Sequence, residues 1–234
     1  MPKPLVITGT GTDVGKTMVT AAIAALAASR GERVTVVKPA QTGVGPGEES
    51  DADVVRRLSG VTDVHELARY DAALAPASAA RRAGVTAATV GELAERINAL
   101  PEADLLLVEG AGGLLVQLDD EGGTIADIAR YLDADVLVVA APGLGTLNAT
   151  ALTTEALDRR GLRCAGVVIG AWPPEPDLAM ETNLVDFPDY AGAPLLGLIP
   201  VNAGRHTPDE FCALARATLS PDLGGTWRSN QSAP

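Results

Sequence analysis

Gly9-Thr10-Gly11-Thr12-Asp13-Val14-Gly15-Lys16-Thr17 stands directly after a short apolar run and directly before a helical pattern. Glycines let a backbone wrap closely around phosphate oxygens, with successive N–H groups pointing inward. The helix behind such a loop adds unpaired N–H donors and the positive end of its dipole. In a loop of this kind Lys16 reaches the β- and γ-phosphates and the Thr17 hydroxyl coordinates Mg²⁺. The spacing departs from the common pattern, because five residues rather than four separate Gly9 from Gly15-Lys16-Thr17. The plain alternative is a glycine-rich strand-to-helix turn with a coincidental Lys-Thr pair. The strand before it, the helix after it and the motifs downstream weigh against that.

Outward from this loop, short runs rich in Val, Leu and Ile recur at 5–8, 33–37, 105–108, 136–140, 165–169 and 195–199, punctuated by Gly or Pro. Near-continuous runs of this kind are how strands buried on both faces read. Helical patterns alternate with them at 16–30, 51–58, 90–100, 124–132, 146–160, 176–185 and 208–217. The β-α-β-α order predicts a single-domain α/β fold, a mainly parallel sheet flanked by helices on both faces in three layers. With no internal repeat or interdomain linker, the domain is expected over residues 1–218. The polar, Gly/Pro/Ser-rich stretch 219–234 is expected to be a flexible tail, and the Gly- and Glu-rich segment 43–50 a mobile loop.

Ligands of open parallel sheets bind at the carboxyl ends of the strands, so polar residues there converge on the phosphate loop. The second run ends in Lys38-Pro39-Ala40-Gln41-Thr42-Gly43. A lysine at a strand end is often only solvated, but facing a phosphate loop it reads as a second cation for a phosphorylated intermediate. The third run ends in Glu109-Gly110-Ala111-Gly112-Gly113. A carboxylate beside a triphosphate makes sense only with a cation between them, so Glu109 is a candidate Mg²⁺ ligand. Ser50-Asp51-Ala52-Asp53 opens a helix, where capping and metal binding explain acidic residues equally well. His65 and His206 sit in polar, loop-like surroundings and read as surface residues. For Trp172, beside two prolines, packing over a nucleotide base and a structural role are equally open.

The formal net charge of −12 argues against a general nucleic-acid or anionic-membrane partner. Aromatic residues make up only 3% of the chain while 47% is apolar, which points to a core of many aliphatic contacts. Cys164 and Cys212 lack metal-ligand spacing and read as reduced thiols of a cytoplasmic protein. No signal-peptide pattern and no apolar run of about 18 residues is present.

Together these residues resemble the dethiobiotin synthetase family of P-loop NTPases. The five-residue loop spacing with Asp13-Val14-Gly15-Lys16-Thr17, the Lys-Pro-x-x-Thr-Gly segment and Val-Glu-Gly-Ala-Gly-Gly occur in that family's order. The likeness continues through Gly143-Leu144-Gly145-Thr146-Leu147-Asn148 and Gly197-Leu198-Ile199-Pro200, and spans roughly residues 5–203. The resemblance implies that Asp13, Val14, Gly15, Lys16, Thr17 and Met18 bind the ATP phosphates and that Thr17, Asp51 and Glu109 hold Mg²⁺. It implies that Lys38 is the active-site lysine, acting with Lys16, and that Thr42 and Thr12 contact the substrate. Glu109, Gly110, Ala111 and Gly112 would line the nucleotide, with Gly170, Ala171, Pro200, Val201 and Asn202 flanking its base. Family members are homodimers in which Gly145, Thr146, Leu147 and Asn148 hold the distant carboxylate of the diamine substrate across the subunit interface. The implied reaction is the ATP-dependent carboxylation and ring closure of 7,8-diaminononanoate with CO₂ to dethiobiotin. It passes through a carbamate and a carbamic-phosphoric anhydride, gives ADP and phosphate, and is the penultimate step of biotin biosynthesis.

One departure stands out. Many members carry an asparagine after the strand at 165–169 where its amide reads adenine; here the stretch is Gly170-Ala171-Trp172-Pro173-Pro174. Base discrimination is then expected to rest on backbone groups and to be loose. Two other classes share parts of this pattern. A partitioning or septum-placement ATPase shares the loop and sheet, but usually has a lysine early in the loop, where this chain has Thr10 and Gly11. An amidotransferase-type synthetase acting on a corrinoid acid needs an attached glutaminase domain, for which the chain has no room.

Overall fold

Alternate residues of each central strand enter opposite apolar layers, which is what a run of Val, Ile and Leu does when both faces of a sheet are covered. In the computed structural model, which describes residues 4–228, Val136, Val138 and Ala140 face one layer and Leu137 and Val139 the other. The strands are β1 (Leu5–Gly9), β2 (Val34–Lys38), β3 (Gln41–Thr42), β4 (Val64–Glu66), β5 (Arg69–Tyr70), β6 (Leu105–Gly113), β7 (Asp135–Ala140), β8 (Cys164–Trp172) and β9 (Leu195–Pro200). Seven form one parallel sheet in the order β4-β2-β6-β1-β7-β8-β9, and β3 pairs with β5 in a small ladder of its own.

The helices are α1 (Lys16–Ser29), α2 (Asp51–Ser59), α3 (Pro76–Ala83), α4 (Val90–Asn98), α5 (Ile125–Tyr131), α6 (Thr146–Asp158), α7 (Leu178–Ala191) and α8 (Pro208–Thr218). Residues of α1, α2 and α8 pack in one layer, and residues of α3 to α7 in the other. The three-layer α/β/α expectation therefore holds. Helix α1 is buried without a break from Val19 to Ala27, and its many alanines let it lie close to the sheet while α2 and α8 cover it. No helix among the described residues is long and apolar enough to cross a membrane.

The sequence patterns missed β4, three residues at the sheet edge, and α3, whose Pro-Ala-Ser-Ala-Ala-Arg-Arg-Ala offers little apolar periodicity. They also ended the sixth predicted helix, 176–185, too early. Helix α7 continues through Pro188 to Ala191, with Phe187 fully buried. An interior proline costs a helix about 3 kcal/mol, which burial of Phe187 and Ala191 offsets.

The expected flexible tail is corrected over most of its length. Residues 219–227 fold back on the edge strand: the Ser220 N–H donates to Leu196 O at 2.8 Å and the Trp227 N–H to Leu219 O at 2.9 Å. Leu219, Leu223 and Trp227 are buried, four residues apart, which a composition dominated by Gly, Pro and Ser concealed. Residues 229–234 lie outside the described residues. The segment 43–50 has no regular structure but is tied at both ends: the Gly43 N–H donates to Tyr70 O at 3.1 Å, and Arg57 Nε to Glu49 Oε1 at 2.6 Å.

Candidate active site

Strand order decides which side chains meet. Strand β6 lies between β2 and β1, so the end of β2 (Lys38), the polar continuation of β6 (Glu109 onward) and the loop after β1 share one edge. Helix α2 then brings Asp51 over them. A cleft of about 490 Å³ results, walled by Thr12, Asp13, Gly15, Lys16, Thr17, Met18, Lys38, Thr42, Asp51, Glu109, Ala111 and Gly112 among the sequence-predicted residues.

The loop itself needs unusual backbone. Asp13 and Gly15 both have positive φ, 59° and 95°, a region that glycine enters freely and aspartate tolerates better than most residues. Gly15 also lies against β8: a Cβ placed on it would sit 2.2 Å from Gly170 O, and one on Gly170 2.1 Å from Val14 O. Both glycines are thus required by close approach. Lys16 leads α1, and its Nζ donates to Gly11 O at 2.9 Å across the loop.

Four charged side chains and one hydroxyl meet in the cleft. Lys38 Nζ lies 2.6 Å from Asp51 Oδ2 and 2.8 Å from Glu109 Oε1, and donates to Gly110 O at 3.1 Å. The Thr17 hydroxyl lies 3.0 Å from Asp51 Oδ1 and 2.9 Å from Glu109 Oε1, within donating distance of both carboxylates. Burial works against the charge on Lys38, which is 5% exposed, but Glu109 and Asp51 outweigh it and raise its pKa above the ordinary lysine value. Lys16 moves the other way, lowered first by burial and then by Lys38. Burial would raise the carboxyl of Asp51, yet Lys38 and then Thr17 hold it below the usual range. The Ser50–Asp53 capping box anchors the start of α2: the Asp53 N–H donates to Ser50 Oγ and the Ser50 N–H to Asp53 Oδ2. Asp53 therefore caps while Asp51 faces the cleft, which separates the two readings left open for this acidic pair.

The remaining predicted residues lie around the cleft. Val14 is buried beneath the loop, and Gly110 presents its carbonyl to Lys38. Gly170 and Ala171 belong to β8, next to the end of β9, where the Val201 N–H donates to Trp172 O at 2.8 Å. Pro200 ends β9; Val201 and Asn202 are exposed, Asn202 with a positive φ of 64°. The ring of Trp172 is 3% exposed in the core, which leaves it no free face for a base. Gly145, Thr146, Leu147 and Asn148 start α6 and do not line this cleft. Thr146 is buried there with its hydroxyl donated to Ala141 O at 2.6 Å, so it presents no hydroxyl to a ligand. His65 pairs with Asp63 at 2.7 Å away from the cleft, and His206 lies 3.9 Å from Glu210. The sequence gives no separate role to Gln41, Gly43, Val44 or Val54, which complete the wall. For Gln41 and Gly43 there is a signal, their place inside the Lys38–Gly43 segment.

A parallel α/β/α sheet with a phosphate loop, a lysine and two carboxylates at its carboxyl edge defines a P-loop ATPase-type enzyme domain. Comparison with known proteins agrees: the AAA domain family matches residues 3–208. An ATP-dependent dethiobiotin synthetase BioD of Frankia casuarinae is 62% identical over 228 residues, covering 97% of this chain and 96% of that one. Its counterpart in Streptomyces avermitilis is 60% identical over 224 residues, covering 95% and 94%. Among solved structures, the cell division ATPase MinD of Pyrococcus furiosus superposes with a TM-score of 0.55 at 21% identity, covering 91% of this chain and 96% of that chain. That likeness shows the fold alone. The chain belongs to the ATP-dependent dethiobiotin synthetase family.

Proposed function

We propose that this chain is an ATP-dependent dethiobiotin synthetase acting on 7,8-diaminononanoate and CO₂ in the cytoplasm. The observation that carries the reading is the meeting of Lys16, Lys38, Thr17, Asp51 and Glu109 in one cleft. Phosphoryl transfer depends on positioning and on neutralising charge spread over the transferred oxygens, and this set suits that task without an enzyme nucleophile.

The donors fit Mg²⁺. They are hard oxygens, and the Thr17 hydroxyl lies 2.9 and 3.0 Å from the two carboxylate oxygens. Neighbouring ligands about 2.1 Å from an octahedral Mg²⁺ lie about 3 Å apart. Thr17, Asp51 and Glu109 would hold the ion, which when bound offsets charge on the β- and γ-phosphate oxygens.

The rest is the work of the chain's own groups. One substrate amine adds to CO₂ and loses a proton, giving a carbamate. A carbamate oxygen attacks the γ-phosphorus as the bond to ADP breaks, with Lys16 on the nucleotide side and Lys38 beside the reacting carbamate. The second amine attacks the carbonyl carbon of the resulting anhydride, loses a proton and expels phosphate. The N–H groups of the loop and of the start of α1 orient the phosphates, while Thr42 and Thr12 sit on the substrate side.

The distant substrate carboxylate is read as lying at the start of α6 of a second copy. Exposed apolar side chains near that helix and on α7 support a homodimer: Leu144 is 92% exposed, Leu178 80% and Val185 78%. The switch-ATPase rival has no comparable support, because the chain lacks the early loop lysine.

The test is purified protein with diaminononanoate, bicarbonate, Mg²⁺ and ATP, followed for the ring-closed product and ADP by mass spectrometry. Nucleotide hydrolysis stimulated by DNA or lipid, with no ring-closed product, would overturn the reading.

A further inference from the structure

Gln41 sits between the two halves of the cleft. It is 4% exposed, and a primary amide so buried must place two donors and an acceptor. Its Oε1 accepts the backbone N–H of Asp51 at 3.2 Å, and its Nε2 donates to the carbonyl of Thr42 at 3.1 Å. The Asp51 N–H is among the first donors of α2, which have no partner inside the helix. The Ser50–Asp53 capping box holds the groups on either side of it and leaves this one to Gln41. Gln41 is itself anchored: its N–H donates to Ala68 O at 2.8 Å, and the Gly43 N–H to Tyr70 O at 3.1 Å.

We propose that Gln41 is a positioning residue whose single amide ties the backbone of Asp51, and so the start of α2 that carries its carboxylate to the cation side of the cleft, to the backbone of Thr42 on the substrate side. The inference rests on the reading of Asp51 as a Mg²⁺ ligand and Thr42 as a substrate contact. Groups that orient a metal ligand without touching the metal typically change metal affinity by about 10- to 100-fold when removed.

The test uses the full chain and three variants, Gln41→Leu, Gln41→Glu and Asp51→Asn. ADP binding is measured by calorimetry in EDTA and in Mg²⁺, beside KM for the diamine. Gln41→Leu, which removes both bonds, is expected to leave ADP affinity in EDTA unchanged, to cut the Mg²⁺-dependent gain about 10-fold and to raise KM for the diamine. Gln41→Glu keeps an acceptor for the Asp51 N–H and loses the donor to Thr42. It should restore the Mg²⁺-dependent gain while KM for the diamine stays high, a split that loss of fold would not produce. Should Gln41→Leu fail to fold, Gln41→Glu decides alone: the split supports the proposal, and both readouts unchanged or both lost overturn it. An unchanged Gln41→Leu beside an Asp51→Asn variant that has lost its Mg²⁺-dependent gain overturns the role of Gln41. An Asp51→Asn variant that keeps the gain overturns the underlying reading of Asp51 instead.

Discussion

Lys16 and Lys38 are two of only three lysines in the chain, the third being Lys3; every other permanent side-chain cation is an arginine. A compact ammonium on a flexible stem can enter a crowded site that a planar guanidinium would overfill. Lys38 is wedged between Asp51 and Glu109, whose charges hold its pKa up against the effect of burial. Lys38→Ala leaves those two carboxylates facing each other, so turnover should vanish while ADP binding in Mg²⁺ survives. Rapid-quench and calorimetric measurements on the same preparation check the two halves of that statement. Gly170 supports a second expectation, because a methyl group there meets Val14 O at 2.1 Å and must displace the phosphate loop. Overpacking of this kind costs about 1–3 kcal/mol, and Gly170→Ala should weaken ADP binding by about 2- to 12-fold if half of that cost falls on the loop geometry. Unaltered affinity in calorimetry would show that the loop and β8 move apart freely.

At the scale of elements, the ends of β8 and β9 form the rim proposed to flank the base. They present the backbone of Ala171 and Val201 with one exposed amide side chain, Asn202, while Gly170 is buried against the phosphate loop and Trp172 is committed to the core. Loose base selection is therefore expected: in a panel of nucleoside triphosphates others should compete with ATP, and a strict preference for ATP would refute the idea. At the opposite edge, the Arg33 guanidinium clasps Asp104 with Nε at 3.1 Å and Nη2 at 2.9 Å, while the Arg33 N–H donates to the same carboxylate at 2.9 Å. These bonds lower the Asp104 pKa to about 2. Because the folded value lies below the unfolded value, the contribution to stability is complete above the ordinary aspartate pKa of about 3.9 and is lost as pH falls through the folded value. NMR titration should find Asp104 near that low value and, in Arg33→Ala, returned toward the ordinary one.

For the whole molecule, the returning segment 219–227 closes the β9 edge, which would otherwise expose unpaired N–H and C=O groups. Its Leu219 bridges to Gly197, and a Cβ on Gly197 would meet Thr218 O at 2.5 Å, so strand and segment fit only with glycine there. Trp227, buried against the layer opposite α8, should cost about 3–5 kcal/mol when replaced by alanine. Thermal unfolding should show a clear fall in midpoint, and an unchanged midpoint would mean that the segment is not part of the cooperative unit.

Much of this was legible in sequence because the information is local. Strands buried on both faces, a phosphate loop between strand and helix, and charged residues at strand ends are each written in a few consecutive residues. That settled the layered parallel architecture and named Lys16, Thr17, Lys38 and Glu109 as candidates. What required the tertiary structure involves partners far apart in the chain. Strand order, which sets β6 between β1 and β2, decides that Lys38 and Glu109 touch across 71 residues. Whether Asp51 caps a helix or faces a cleft, why Gly170 has no side chain, what Gln41 holds and where a polar C-terminal segment lies all depend on contacts absent until the sheet has assembled.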